Sequence, residues 1–361
     1  MRPLFPLSAL FIALFGLSGC GDSSDSAPTA KVSFSIADAP ADGVKEVWVT
    51  FESITLNSYT GDKNNKDVDK EVDESNSQTI FVTDAKNKAN PIRINLMDYQ
   101  KGKSKRIING AEVPVGDYSL TVNTSGCSQS AADGADGADG SAGPTDHCWV
   151  KEYDEGTKPL KTPSNKLKLG KFTVSQKDNQ AYTIDIKLRS SLVNNGGGDN
   201  YNLKPHGISI VDTATVGSIS GTVDINLFSA GDCFADSGNT LYLYQGGYSG
   251  EGLSSMTMGD EFDPDIDTDV PENVLMPYAS TLLDPNEGED SNAYVFGNLA
   301  AGQYTLAFSC TDAGIDQSGG AIQGDHPEFY NQIPIAKSDS QWTKLTVLSG
   351  EDTRYDFSEV E

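Results

Sequence analysis

Val44-Lys45-Glu46-Val47-Trp48-Val49-Thr50-Phe51-Glu52-Ser53-Ile54-Thr55-Leu56 sets the reading of the whole chain. Val47, Val49 and Phe51 fall at a period of two, the spacing that puts side chains on one face of a β-strand. Ile54 and Leu56 continue the pattern one residue out of phase. A strand cannot change phase without a bulge or bend, so the stretch predicts a long strand with a bulge near Glu52-Ser53.

Working outward, the same alternation recurs. Upstream stand Val32, Phe34 and Ile36, followed by a break at Asp38-Ala39-Pro40. Downstream, residues 61–78 read as a solvated loop. Strand signals then follow at Ile80 to Val82, at Ile92, Ile94 and Leu96, and at Tyr118, Leu120 and Val122. More lie around Trp149, Leu167, Leu169, Phe172 and Val174, at Tyr182, Ile184, Ile186 and Leu188, and at Ile208 and Ile210. A second series opens with Ile219, Gly221, Val223, Ile225 and Leu227. It continues at Leu241 and Leu243, Tyr294 and Phe296, Tyr304, Leu306 and Phe308, Leu345 and Val347, and Tyr355 and Phe357. Nothing demands a helix longer than a turn or two. The 361 residues suffice for about two domains at roughly 150 residues each, and 37% hydrophobic content with 36 glycines favours short strands joined by turns. The expected fold class is all-β: two antiparallel β-sandwich domains, residues 31–213 and 216–361, the second carrying an acidic insertion at about 250–291.

Val113-Pro114-Val115-Gly116-Asp117-Tyr118-Ser119-Leu120 and Leu299-Ala300-Ala301-Gly302-Gln303-Tyr304-Thr305-Leu306 share Gly-x-Tyr-Ser/Thr-Leu. The glycine permits a turn, and the tyrosine two residues on can pack its ring at the core edge while its hydroxyl bonds nearby backbone, as in a tyrosine corner.

The chain opens with Arg2, an apolar run through Leu4, Leu10, Phe11, Ile12, Leu14 and Phe15, and then Leu17-Ser18-Gly19-Cys20. This charged start, apolar middle and small-residue end form a cleavable export signal, too short for a spanning helix. The end closely resembles the lipobox of bacterial lipoproteins. That resemblance implies that residues 1–19 are removed and that Cys20 is lipidated; the alternative is an ordinary secretory signal whose Cys20 later pairs in a disulfide. Residues 20–30, polar and poor in apolar side chains, read as a tether. Gly21, not Asp, follows the cysteine, which by the same resemblance favours the outer membrane of a bacterial envelope.

Five cysteines less Cys20 leave four. Cys127 with Cys148 and Cys233 with Cys310, one bridge per domain, is the simplest of three connectivities, and an exported chain reaches a compartment where disulfides persist. Between Cys127 and Cys148, Ala-Asp-Gly repeats three times. That tract is too short and proline-poor for a collagen helix and reads as a loop tied at its base. A cysteine-based metal site is disfavoured, with no Cys-x-x-Cys and only His147, His206 and His326.

Charge is concentrated at the end. From Val216 to Glu361, 25 Asp and Glu stand against Lys337, Lys344 and Arg354, in a chain whose net charge is −26. Such a surface repels nucleic acid and anionic headgroups. Asp263, Asp265, Asp267 and Asp269, spaced by two, offer oxygen ligands suited to calcium, although an EF-hand's glycine and terminal glutamate are replaced by Thr268 and Val274. The competing reading is a solvated acidic loop. No nucleophile elbow, zinc-protease helix, phosphate loop or dinucleotide fingerprint is present, and among 52 acidic residues nothing singles out a carboxylate pair for glycoside hydrolysis.

Val32-Ser-Phe-Ser-Ile-Ala-Asp-Ala-Pro, the Val44 to Leu56 stretch, the Val113 to Leu120 segment and Ile208-Ser-Ile, in that order, resemble domain-of-unknown-function family 4382 over about residues 31–213. That resemblance implies a bacterial surface lipoprotein. Gly217-Ser-Ile-Ser-Gly-Thr-Val and Tyr294-Val-Phe-Gly-Asn-Leu-Ala-Ala-Gly-Gln-Tyr-Thr-Leu resemble the two ends of a carboxypeptidase regulatory-like domain. That implies a transthyretin-like, Ig-like sandwich of the kind used as a spacer or carbohydrate-binding-like module. The expected function is a membrane-anchored, non-catalytic binding or assembly module for an envelope protein or polysaccharide. The alternative is a calcium-dependent adhesin or carbohydrate-binding protein using the acidic insertion.

Overall fold

The computed structural model describes residues 28–39, 44–60, 71–127, 148–152, 156–175, 179–194, 200–229, 239–248, 257–258, 274–275, 277–283, 292–309 and 342–358. The signal segment 1–19, Cys20, Cys233, Cys310 and the series Asp263, Asp265, Asp267 and Asp269 lie outside the described residues.

The first half contributes β1 (Thr29–Ala39), β2 (Val44–Thr60), β3 (Glu71–Phe81), β4 (Ile92–Asn95), β5 (Ser104–Pro114), β6 (Gly116–Thr124), β7 (Trp149–Glu152), β8 (Thr157–Lys161), β9 (Lys166–Val174), β10 (Gln180–Lys187), the single-turn helix α1 (Leu188–Ser191), β11 (Leu192–Asn194), β12 (Tyr201–Leu203) and β13 (Ile208–Asp212). The second contributes β14 (Val216–Thr222), β15 (Thr240–Gln245), β16 (Thr257–Met258), β17 (Val274–Leu275), β18 (Ala279–Leu282), β19 (Ala293–Ala300), β20 (Gly302–Ser309), β21 (Trp342–Val347) and β22 (Asp352–Arg354). The protein is all-β.

A four-stranded sheet ordered β13-β10-β1-β5 faces a nine-stranded sheet ordered β11-β12-β8-β7-β2-β6-β9, in which β3 and β4 also pair with β2. Between them, Phe34 of β1 meets Phe172 of β9 edge-on at 5.9 Å and stacks on Tyr182 of β10 at 5.7 Å. In the second half, β19-β14-β22 faces β18-β15-β20-β21. There Phe308 of β20 packs at 6.2 Å against Phe357, which follows β22. The first half has one cluster of buried apolar side chains, and the second has one between its sheets and a smaller one of Tyr242, Tyr244 and Ala307. Each large buried side chain contributes about 1.5–3 kcal/mol of hydrophobic stabilisation.

β2 carries the predicted bulge. Its register against β6 shifts between Phe51 and Ser53, and Val47, Val49, Phe51, Ile54 and Leu56 are all fully buried. The extra residue lets both phases of the pattern face one core. Both predicted tyrosine corners are present as well. Tyr118 donates its hydroxyl to the Pro114 carbonyl at 2.8 Å, and Tyr304 donates to the Ala300 carbonyl at 2.9 Å. Each bond spans the turn between consecutive strands, β5 to β6 and β19 to β20.

Several expectations are corrected. Residues 71–78 of the expected loop belong to β3, which pairs with β2 along the outer end of that strand, with a register shift between Asn57 and Ser58. Its polar sequence suits a strand paired on one side, here with β2. β1 takes in Thr29 and Ala30, the last residues of the expected tether, and Ala30 is buried. Leu96 opens a 3-10 turn capped by Asn95, whose Oδ1 accepts from the Met97 amide at 3.3 Å, and Leu188 opens α1. The run Val223, Ile225 and Leu227 does not extend β14. Asp224 accepts from the Asn226 amide at 3.0 Å and starts a 3-10 turn, leaving Ile225 exposed. The span 250–291 includes β16, β17 and β18, and β18 pairs with β15. Ladders are antiparallel except at β1 with β10, β8 with β12, β14 with β22 and β16 with β17. In each of these pairs the connection is far longer than a hairpin, which is what parallel pairing requires.

Candidate functional site

Two arrangements stand out, one on the outer face of the nine-stranded sheet and one between the two halves. The outer face follows directly from the alternation in β2. With Val47, Val49 and Phe51 turned inward, Glu46 and Trp48 turn outward. Trp48 is directly opposite Trp149 of β7, and the two indoles stack at 5.5 Å with planes 29° apart. From the other side, Arg93 of β4 places its guanidinium 5.4 Å from the centre of the Trp48 ring. Glu46 accepts from the Trp48 indole N–H at 2.7 Å and pairs with the Lys151 ammonium at 3.4 Å. The bond from Trp48, joined by the nearby ammonium groups of Lys151 and Lys45, holds the Glu46 carboxyl below its usual range. Both tryptophans are half-buried, and Arg93 is exposed. The result is an arginine-indole-indole row framed by one carboxylate and one ammonium. Such a surface stacks on flat apolar groups and hydrogen-bonds at its edges.

The Cys127–Cys148 disulfide stands behind this row, its Cα atoms 5.1 Å apart and both residues buried. Cys148 immediately precedes Trp149 and accepts from the Thr50 amide at 3.4 Å through its sulfur. The bridge therefore fixes the start of β7 against β2.

The second arrangement begins with β10, whose last residues are buried on both faces. Tyr182, Ile184 and Ile186 enter the first core, while Thr183, Asp185 and Lys187 on the opposite face are buried too. The second half covers Asp185 and Lys187. A small crevice is lined by Asp38, Lys101, Asp185, Lys187, Tyr278 and Asn298, among others. The Lys187 ammonium lies 3.6 Å from the centre of the Tyr278 ring. Asn298 donates its amide to Asp185 at 3.4 Å, and Arg189 donates to the Ser280 hydroxyl at 2.5 Å. Burial raises the Asp185 carboxyl against the opposing pull of Lys187 and Asn298, and it lowers Lys187 against the pull of Asp185. The Tyr278 hydroxyl is pushed up to about 12 by burial and by Asp185.

Backbone geometry aims Asn298 into this crevice. β14 and β19 lose register between Gly217 and Ile219, whose partners are Leu299 and Phe296. Gly297 and Asn298 therefore form a bulge, with Asn298 at φ +55°, a conformation asparagine tolerates better than most residues. Gly297 also abuts Gly102, since a Cβ on Gly297 would lie 2.6 Å from the Gly102 Cα.

Of the residues singled out from sequence, the structure brings together Cys127 and Cys148. Among the described residues, no group of three or more His, Cys, Asp and Glu forms a metal site, and no helix is long and apolar enough to cross a membrane. Sequence reasoning missed Asp185, Lys187, Tyr278 and Asn298. In Tyr182-Thr-Ile-Asp-Ile-Lys187 the polar residues read as a solvated face, and the only local signal for the crevice is the Gly-Asn bulge pair inside the Tyr294 to Leu306 motif.

No curated protein matches the chain. Among solved structures, the Bacillus anthracis TIE protein is 10% identical, with a TM-score of 0.18, and covers 91% of this chain; this chain spans only 33% of it. The minor pilin GBS52 of Streptococcus agalactiae is also 10% identical, with a TM-score of 0.17, covering 91% of this chain and 97% of its own. A leucine-rich repeat protein from Bacteroides thetaiotaomicron is 11% identical, with a TM-score of 0.18, covering 92% of this chain and 27% of its own. None of these superpositions reaches a shared overall fold. Residues 29–205, which supply β1 to β12 and hence the aromatic row and the disulfide behind it, match the family described as Domain of unknown function (DUF4382).

Proposed function

We propose that the protein is a non-catalytic binding module of a bacterial cell envelope, held to the membrane by a lipid on Cys20. The partner is an envelope polysaccharide or protein, docked on the outer face of the nine-stranded sheet. Export, removal of residues 1–19, lipidation, an outer-membrane location and the transthyretin-like character of residues 216–361 belong to this proposal and rest on the sequence.

The observation that carries it is the row of Arg93, Trp48 and Trp149. Tryptophan and arginine are the side chains that most often dominate binding energy at recognition surfaces, and paired indoles also suit the apolar faces of sugar rings. The disulfide and the β2 to β7 ladder hold the row rigid, so little ordering entropy is lost on docking.

The test is in-cell photo-crosslinking of the full chain, with the reactive residue placed at Arg93, at Lys151 and, as a control, at the remote exposed Lys103. Recovery of one defined envelope protein or glycan from the first two positions and not from Lys103, abolished by Trp48→Ala, is the expected result. Equal recovery from all three positions, or recovery that survives Trp48→Ala, overturns the assignment of this face.

A further inference from the structure

Asp185, Lys187 and Asn298 place a carboxyl, a primary amine and a carboxamide in one crevice, on two strands more than a hundred residues apart in sequence. Asp185 and Lys187 sit two apart on the same face of β10, each less than a tenth exposed. Asn298 arrives from the β19 bulge already bonded to Asp185. The Tyr278 ring covers the lysine at 3.6 Å. We propose that Lys187 and Asn298 join through an intramolecular isopeptide bond that links the first sandwich covalently to the second.

The chemistry needs only what the crevice holds. Starting from the two charged forms, which attract each other across the crevice, the Lys187 ammonium passes a proton to the Asp185 carboxylate, leaving a neutral amine and a carboxylic acid. The Nζ lone pair forms a C–N bond to Cγ of Asn298, and the Cγ–Nδ2 bond breaks. The departing nitrogen takes one proton through Asp185 and leaves as ammonia. Amine plus primary amide has become secondary amide plus ammonia, with no change of oxidation state and no co-reactant. Burial favours this course at both ends. It disfavours the charged lysine, freeing the lone pair, and it keeps a proton on Asp185 for the leaving group. Asp185 is the proton carrier because it is the group bonded to the nitrogen that leaves. The product also removes a cost, since a buried ammonium and a buried carboxylate are expensive to desolvate and a buried secondary amide is less so.

The experiment is protease digestion of the full-length protein, with disulfides reduced, followed by mass spectrometry of the peptides. The expected result is a branched species containing the Lys187 and Asn298 peptides, lighter than their sum by one ammonia. In Asp185→Ala, folded by circular dichroism, both peptides should appear separately at full mass. Separate, unmodified peptides from the wild-type chain overturn the proposal. A branched species that persists in Asp185→Ala overturns the role given to Asp185.

Discussion

Gly221→Ala tests the packing of the second sandwich most sharply, because the space for a side chain is absent. A Cβ at position 221 would lie 1.6 Å from the Tyr355 carbonyl oxygen and 2.8 Å from the Tyr294 hydroxyl oxygen. The first contact is with backbone, so β14 and the segment carrying Tyr355 must part by about 1.5 Å or more to restore an ordinary contact. That separation breaks the bonds from the Tyr355 amide to Ser220 (2.9 Å) and from the Phe357 amide to Thr222 (2.8 Å), and the bond from the Tyr294 hydroxyl to Tyr355. Three bonds at about 1 kcal/mol each, with partial exposure of the fully buried Phe357 ring, give a loss of about 3–4 kcal/mol. Gly302→Ala is the matched control. Nothing lies within 4 Å of a Cβ there, so the expected change is within about 0.5 kcal/mol and on the stabilising side. Urea titration followed by circular dichroism measures both, with amide exchange at Ser218 to Thr222 locating the damage. Should Gly221→Ala unfold within about 1 kcal/mol of the parent and indistinguishably from Gly302→Ala, the parallel docking of β22 against β14 is refuted.

Further expectations follow from the turns, the aromatic row and the disulfide. Tyr304→Phe keeps the ring but removes the bond to Ala300, costing about 1 kcal/mol in urea titration; an unchanged midpoint would remove the corner from the list of stabilising features. The Tyr304 hydroxyl is pushed up to about 12 by burial and by Tyr278. Its contribution is therefore complete below the ordinary tyrosine range and lost as pH rises through about 12, which ultraviolet difference titration reads as a late ionisation absent in Tyr304→Phe. Glu46 has the opposite sign. Its carboxyl is lowered chiefly by the bond from Trp48, so the support it gives the row is complete above 4.5 and fades as pH falls through the lower folded value. Tryptophan fluorescence should show a transition below 4.5 that Glu46→Gln abolishes. Reducing the Cys127–Cys148 bridge, which closes a separation of 21 residues, should cost about 3 kcal/mol in the chain-entropy account, and a denaturation curve unmoved by reductant would contradict it.

The strands were legible where one face is wet and the other dry. β1, β2, β6 and β20 alternate cleanly, and the phase slip at Glu52-Ser53 even located a bulge. β5 was not legible, because Ile107 and Ile108 are buried in succession while its register against β1 shifts twice. Tertiary pairing there overrides period two. The turn at Asp224 hid inside an alternating run, since an aspartate that bonds backbone two residues on stops a strand without breaking the hydrophobic pattern. The tyrosine corners and the bridge at Cys127 were readable because each depends on local spacing or on cysteine arithmetic. The crevice was not, because Asp185 and Lys187 carry the pattern of a solvated face until a second sheet lies on it. The row was half readable: Trp48 and Trp149 were visible as strand residues, but only the β2 to β7 register makes them opposite.

Parallel pairing of β14 with β22 has a mechanical meaning. In a parallel pair, the leading end of one strand and the trailing end of the other point in opposite directions along the sheet. While the Lys187–Asn298 bond is open, tension entering at Val216 and leaving beyond Phe357 therefore pulls the two strands lengthwise past each other. The rungs at Ser218 with Glu351, Ser220 with Tyr355 and Thr222 with Phe357 then carry the load together, where a hairpin pulled from its open end would give them up one at a time. The carboxyl-terminal sandwich is built to resist being stretched along its chain.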